Sequence, residues 1–215
     1  MNRSLVLEAV STLGLQVDEQ QLRACEQLLQ ELVRWNHRIN LTAVTGNDAM
    51  TVKHLIDSLQ LVPLLQAREQ ALDVGSGAGF PALVLAIMRP DCRISSIDAV
   101  GKKISFQRHV ARMLQLKNFI AMHGRVEALA KEQPGCFDFV CSRAFSSLAL
   151  MCELTAPLVA PGGRLVSMRA VNGEQEVETM RQRITEMGLL RETPVRYSLP
   201  LDMGQRSLVI LRKAR

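Results

Sequence analysis

The sequence predicts an α/β fold: a seven-stranded, mostly parallel sheet with helices on both faces, preceded by a helical extension. Three observations carry this. The stretch ALDVGSGAGF at 71–80 passes from a short apolar segment through a turn with Gly75, Gly77 and Gly79 into the apolar run 83–88, which reads as strand, glycine loop and helix. From residue 71 onward, strand-like runs alternate regularly with helical ones, the pattern of right-handed parallel βαβ units. Before residue 67, wherever the apolar spacing is regular, it is helical.

In the extension, 1–66, Leu5 to Leu13 reads as a helix ended near Gly14. Asp18 and Gln21 have capping-box spacing, and Leu22, Cys25, Leu28, Leu29, Leu32, Trp35 and Ile39 follow at helical intervals. A long amphipathic helix packed on the core is therefore expected. The polar stretch that follows is too interrupted to continue it, and Asn40 to Thr42 reads as a turn. A helix resumes over His54 to Leu65, where His54 and Asp57, three residues apart, share a face. That pair reads either as surface hydrogen bonding or packing of the extension, or as substrate contact.

The second unit, 67–215, is expected to be one compact domain. Its strands are predicted at Ala71 to Val74, Arg93 to Asp98, Asn118 to His123, Phe137 to Cys141 and Gly163 to Met168. Two more follow near Leu190 to Tyr197 and Ser207 to Leu211, joined as a hairpin with an antiparallel final strand. Helices are predicted at Phe80 to Met88, Lys102 to Leu116, Arg125 to Ala130, Leu148 to Leu158 and around Glu174 to Met187.

A chain of 215 residues with 47% apolar side chains can bury one substantial core. Its net charge of +5 permits an anionic partner without demanding one. The first residues hold no long uncharged apolar segment and meet Glu8 early, so neither a signal peptide nor a membrane span is expected, and the cytoplasm is the default compartment. The five cysteines are odd in number with no CxxC, and the four histidines are scattered, so neither a disulfide framework nor a metal site is expected. The expected working state is a monomer.

The spacing of the glycine loop narrows the ligand. A dinucleotide fingerprint would place glycine at the sixth position, which here is Phe80. The pattern DxGxGxG from Asp73 instead resembles the S-adenosylmethionine (SAM) site of Rossmann-like methyltransferases. Asp73 either organises the loop or attracts the cationic end of the cofactor. Asp98, about twenty residues beyond the loop at the end of the second strand, stands where an acid takes ribose hydroxyls. The third strand leads to Arg125, Val126 and Glu127, candidates for the adenine environment.

The helix after Asp98 carries Lys102, Lys103, Arg108, His109 and Arg112 on its outer face, which reads either as a phosphate-binding face or as a solvated one. The fourth strand ends in Ser142-Arg143-Ala144-Phe145, where many adenine-methylating members of the fold carry an Asn/Asp-Pro-Pro-aromatic motif that grips an exocyclic amine. Arg143 there argues against amine chemistry. It is either ion-paired at a strand end or donates hydrogen bonds to the cofactor or to an acceptor such as guanine O6.

Taken together, the chain resembles the RsmG (GidB) methyltransferases of bacteria, which methylate N7 of guanine 527 in 16S ribosomal RNA. The matching residues are Trp35-Asn36, Asn40-Leu41-Thr42, His54 with Asp57-Ser58, DVGSGAGFP at 73–81, Leu85-Ala86, Asp98, Lys102, Phe106, Arg125 with Glu127, and Ser142-Arg143-Ala144. The resemblance implies SAM as cofactor, held by Asp73, Gly75, Gly77, Gly79, Phe80, Asp98, Val126, Glu127 and Arg143. It also implies Arg143 as the orienting catalytic residue with no general base, and an RNA face including Lys102, Lys103, Arg108, Arg112 and Arg169 flanked by the N-terminal helices. The chain departs from the family pattern at Pro81-Ala82, Lys102-Lys103 and Arg169-Ala170, where Pro-Gly, Lys-Arg and Lys-Gly are usual. The rival readings are a SAM methyltransferase with another acceptor, a non-catalytic RNA or ribosome-assembly module, and, more distantly, a nicotinamide dehydrogenase.

Overall fold

The computed structural model describes residues 1–143, 147–170 and 173–215. The strands are β1 (Gln70–Val74), β2 (Arg93–Asp98), β3 (Phe119–His123), β4 (Phe137–Arg143), β5 (Val159–Ala170), β6 (Leu189–Arg191), β7 (Val195–Ser198) and β8 (Gln205–Lys213). They form one sheet in the order β3-β2-β1-β4-β5-β8-β6, with β7 also paired to β8. β1 to β5 are parallel, and β8 runs antiparallel to β5, β6 and β7. The chain winds outward from β1 through β2 to β3, then returns to β4 on the other side of β1. A crevice therefore opens beyond the carboxyl ends of β1 and β4, the switch point where doubly wound sheets bind ligands.

Apolar alternation along β1 divides the core into two layers. Ala71 joins a cluster with Leu28, Leu32, Leu83 and Phe106, whereas Leu72 and Val74 join one with Val140, Leu148 and Leu165. Successive side chains of a strand leave opposite faces, so one strand nails down both layers. The extension belongs to the first layer.

Two helices begin the extension, α1 (Arg3–Thr12) and α2 (Glu19–Ile39). The capping box of α2 is complete, with Gln21 N donating to Asp18 Oδ1 at 2.7 Å and Asp18 N to Gln21 Oε1 at 3.1 Å. The helix ends at Asn40, whose φ of 48° places it in the left-handed region. Further helices are α5 (Ala82–Met88), α6 (Gly101–Met113), α7 (Val126–Glu132) and α8 (Leu148–Thr155). Trp35 of α2 packs edge-on to Phe106 of α6, with centroids 5.6 Å apart, and Glu31 accepts from His109 Nε2 at 2.8 Å. The extension is thereby docked on the helix that follows Asp98.

Several predicted elements are redrawn. The helix expected over His54 to Leu65 starts earlier, as α3 (Asn47–Met50), a π-helical turn Thr51–Ile56 and α4 (Asp57–Leu59). The helix predicted from Phe80 starts at Ala82, and that predicted to Leu158 ends at Thr155, after which Pro157 lies in a 3-10 turn. The helix around 174–187 is two pieces, α9 (Gly173–Thr179) and α10 (Arg181–Glu186). The sheet has eight strands among the described residues rather than seven, because the strand expected over Leu190 to Tyr197 is broken. Arg191 faces Leu211 and Val195 faces Leu208, so one extra residue bulges from this edge. Pro194 lies in the break and has no N–H to give the ladder.

Candidate active site

The glycine loop leaves β1 with φ of +69°, +58° and +84° at Gly75, Gly77 and Gly79, conformations that L side chains rarely adopt. At Gly79 space is limiting too, since a Cβ would meet Leu83 Cδ1 at 2.6 Å. The loop is held from below by a residue that motif reading passed over. Gln107 of α6, fully buried, donates to Ser76 Oγ at 2.8 Å and to the Gly77 carbonyl at 2.9 Å, and accepts from Ser96 Oγ at 2.6 Å. A polar residue beside the apolar stripe of a core-facing helix was its only sequence signal.

Asp98 stands beside the loop at the end of β2. One carboxylate oxygen accepts from Gly77 N and the other from Val100 N, both at 2.8 Å, with Lys103 Nζ 4.0 Å away. A cavity of ≈ 400 Å³ opens here, lined by Gly75, Asp98, Arg125, Val126, Glu127 and neighbours from Val74 to Leu154. Three sequence-predicted segments, the ends of β1, β2 and β3, thus meet around one space.

Asp73 is buried at the exit of β1. Its Oδ2 accepts from Ala82 N at 3.2 Å, which anchors the start of α5, while Oδ1 has no hydrogen-bond partner among the described residues. Burial pushes its pKa up to about 7, against the Ala82 amide and the Arg143 charge, which pull it down. An orphaned buried carboxylate oxygen is costly unless a ligand completes it. A cationic ammonium group is the complement this oxygen lacks, so the site fits SAM.

Arg143, the last residue of β4, reaches across to the extension. Nη1 donates to the Lys53 carbonyl at 2.7 Å and Nη2 to His54 Nδ1 at 3.1 Å, both partners lying in the π-helical turn. π-Helical turns recur at functional sites. Asp57 Oδ2 lies 3.6 Å from Nη1, and Asp57 Oδ1 accepts from the Tyr197 hydroxyl at 2.7 Å. Burial raises the pKa of Asp57, opposed by Tyr197 and by the charges of Arg143 and Arg206.

Because a guanidinium only donates, Nδ1 of His54 must present its lone pair, which leaves the proton on Nε2. Nε2 then donates to Thr42 Oγ1 at 2.9 Å, and Thr42 in turn is held at both backbone groups by the Asn36 side chain. Burial, reinforced by the Arg143 charge, pushes the His54 pKa down to about 3, so the ring stays neutral. Its face stacks on Phe80, centroids 4.8 Å apart, and Arg143 covers the same ring. The Phe80 ring is thus committed to the core, and only its backbone is left to meet a cofactor. His54 and Asp57 are buried, and the hydrogen bonds they make lie inside the fold rather than at its surface. Ala144 and Phe145 lie outside the described residues.

The basic residues are dispersed. Lys102 is exposed in the first turn of α6. Arg108 donates to the Ala121 carbonyl at 3.0 Å and, with Arg112, lines a different cavity of ≈ 720 Å³ along β3, which shares no residue with the Asp98 cavity. Arg169 is largely buried and lies 3.5 Å from Glu176 and 3.0 Å from Ser167 Oγ. Among the described residues no group of three potential ligands could hold a metal, and no helix is long and apolar enough to cross a membrane.

An O-methyltransferase from Bacillus cereus, solved in complex with SAH, aligns with a TM-score of 0.64 over 96% of each chain at 17% identity. This fold, with its crevice at the switch point of the sheet, is that of a SAM-dependent methyltransferase. Sequence comparison is more specific. Residues 21–198 match the family model GidB, described as rRNA small subunit methyltransferase G. Proteins called ribosomal RNA small subunit methyltransferase G from Geobacter sp. (strain M21) and Syntrophotalea carbinolica are 39% and 40% identical, over 97% and 96% of this chain and 96% and 95% of theirs. The chain belongs to this family.

Proposed function

We propose that this enzyme transfers the methyl group of SAM to N7 of guanine 527 in the 16S ribosomal RNA of the small subunit. Family membership over nearly the whole chain carries the reading. The residues of the family resemblance support it by forming one hydrogen-bonded chain, Asn36–Thr42–His54–Arg143.

Bound SAM supplies an electrophilic methyl group on a sulfonium. Asp73 Oδ1 would take its ammonium, Asp98 its ribose, and Val126 and Glu127 its adenine, with the backbone of Gly75, Gly77, Gly79 and Phe80 close against it. Guanine N7 carries a lone pair and no proton, so no base is required. The site is consistent with this, because the one lone pair of His54 is already taken by Arg143. Orientation is the main device, holding nucleophile, methyl and sulfur in line. Arg143 has five N–H donors, and those not engaged by Lys53 and His54 can address guanine O6 or the cofactor carboxylate.

Lys102 and Lys103 would take RNA phosphates beside the mouth, Arg108 and Arg112 would do so along the β3 edge, and Arg169 at the end of β5. The N-terminal helices would flank the RNA. The protein would act in the cytoplasm as a monomer without a metal. The deciding experiment supplies labelled SAM and small-subunit particles lacking the modification, then maps the labelled nucleotide. A label on another nucleotide, or on none, refutes the assignment.

A further inference from the structure

Along β7 one side chain turns inward. Val195, Arg196 and Ser198 are exposed, whereas Tyr197, the chain's only tyrosine, is half-buried and packs against the core layer that includes the extension. Its hydroxyl donates to Asp57 Oδ1 at 2.7 Å, across 140 positions of sequence. Burial and the Asp57 charge push the phenol well above its ordinary pKa of 10, so the hydroxyl keeps its proton and stays a donor.

The acceptor is a buried carboxylate faced from three strands. Arg143 of β4 lies 3.6 Å from Oδ2, Tyr197 of β7 holds Oδ1, and the charge of Arg206 of β8 acts on the same group. Arg206 pairs directly with Tyr197 across the hairpin, so these two side chains leave one face. A carboxylate between two cations can turn toward either. The bond from Tyr197 fixes one oxygen and so commits the other to Arg143. The guanidinium already has neutral acceptors in the Lys53 carbonyl and His54 Nδ1, and Asp57 adds the countercharge. A buried ion pair holds its geometry only when its remaining oxygen is satisfied as well. A bond that merely fastened the hairpin could end on any surface acceptor, whereas this one ends on the carboxylate paired with the orienting residue.

Resting on the reading of Arg143 as the residue that orients the acceptor base, we infer that Tyr197 is a positioning residue for methyl transfer, setting the angle of the Arg143 fork through Asp57. It acts at one remove from the reacting atoms. Tyr197 holds the carboxylate, the carboxylate holds the guanidinium, and the guanidinium sets the in-line approach. Removing the hydroxyl leaves the ring to pack and the carboxylate free to turn toward Arg206, so the fork loses its alignment. The effect falls on the chemical step rather than on binding.

The test compares wild-type protein with Tyr197→Phe, Asp57→Asn, the double variant D57N/Y197F and Arg143→Ala. Single-turnover methylation of unmodified small-subunit particles is measured at saturation, with KM for the particles, SAM affinity and melting temperature alongside. Y197F should lower the saturating rate about fivefold, less than R143A does, with KM and SAM affinity within about twofold of wild type. D57N should lower the rate at least as much, and adding Y197F to it should change the rate by less than about twofold, because residues acting through one group are not additive. A purely structural bond would lower the melting temperature without this dependence of the rate on Asp57. Should Y197F fail to fold, D57N alone decides. A wild-type rate in Y197F or in D57N, while R143A is slow, overturns this inference and leaves the functional reading standing. So does a fivefold loss from Y197F that persists in the D57N background. Full activity in R143A removes the orienting role and this inference with it, and wild-type protein that methylates no small-subunit RNA overturns the functional reading itself.

Discussion

Arg143, the last residue of β4, donates to Nδ1 of His54 across 3.1 Å, so the end of a core strand fixes the tautomer of a buried imidazole in the extension. Each partner constrains the other: the neutral ring needs a donor at Nδ1, and the guanidinium needs an acceptor where bulk water is scarce.

We predict that Arg143→Ala lowers the methylation rate at least about tenfold, equivalent to roughly 1.4 kcal/mol of barrier. It also destabilises the fold by about 1.5–3 kcal/mol, the range for a hydrogen bond to a charged group. Arg143→Lys should not restore activity, because a point ammonium cannot span the Lys53 carbonyl and His54 Nδ1 as a planar fork does. Single-turnover kinetics and urea unfolding check both effects. Full activity in Arg143→Ala would remove it from the orienting role.

His54 makes stability depend on acid. The folded ring resists protonation down to about 3, while the unfolded one takes a proton at its ordinary 6.5. Between those values the unfolded state binds more protons, so stability falls as pH drops, by up to about 1.4 kcal/mol per unit. Asp73 acts in the opposite sense. Its folded carboxyl stays protonated up to about 7 against 3.8 unfolded, so its contribution is lost as pH rises through that window. Unfolding curves of His54→Asn and Asp73→Asn against pH should separate the two slopes. Parallel curves for wild type and His54→Asn would show that the ring is not held neutral.

SAM affinity should share the Asp73 dependence. A cation at Oδ1 requires the ionised carboxylate, and the free site titrates near 7, so binding weakens as pH falls from 8 toward 6 and approaches tenfold per unit below 7. Calorimetry should show proton release on binding in the wild type and none in Asp73→Asn. A pH-independent affinity in the wild type would place the ammonium elsewhere.

Gln107→Leu removes three hydrogen bonds and strands the hydroxyls of Ser96 and Ser76 and the carbonyl of Gly77. Each group left unsatisfied costs about 1–3 kcal/mol. Melting temperature should drop, and SAM affinity should drop with it, because the same side chain braces the loop. A variant that melts earlier yet binds SAM as tightly as wild type would show that the loop keeps its shape without this brace.

What was legible in advance was local. The glycines at 75, 77 and 79, the capping box of Asp18 and Gln21, and the alternation of β1 to β5 with their helices depend on neighbours within a few residues. The broken edge was missed in the sequence reading, although Pro194 marks it locally. Residues whose partners are remote carried no such mark. Gln107 lies 31 positions from Ser76, and Tyr197 lies 140 from Asp57. The basic residues of α6 read as one face, yet the fold sets Lys103 4.0 Å from Asp98 while Arg108 and Arg112 line the cavity along β3.

By itself, the sequence determined an α/β chain with a glycine loop at the end of its first strand, because backbone conformation and apolar periodicity are written in short spacings; the methyltransferase reading came from the resemblance of its motifs to a known family. Only the tertiary structure decided that His54 and Asp57 are buried partners of Arg143 and that Asp73 keeps one oxygen unpaired. Both follow from burial, which raises the cost of every unmatched polar group and is set by which distant segments the sheet brings together.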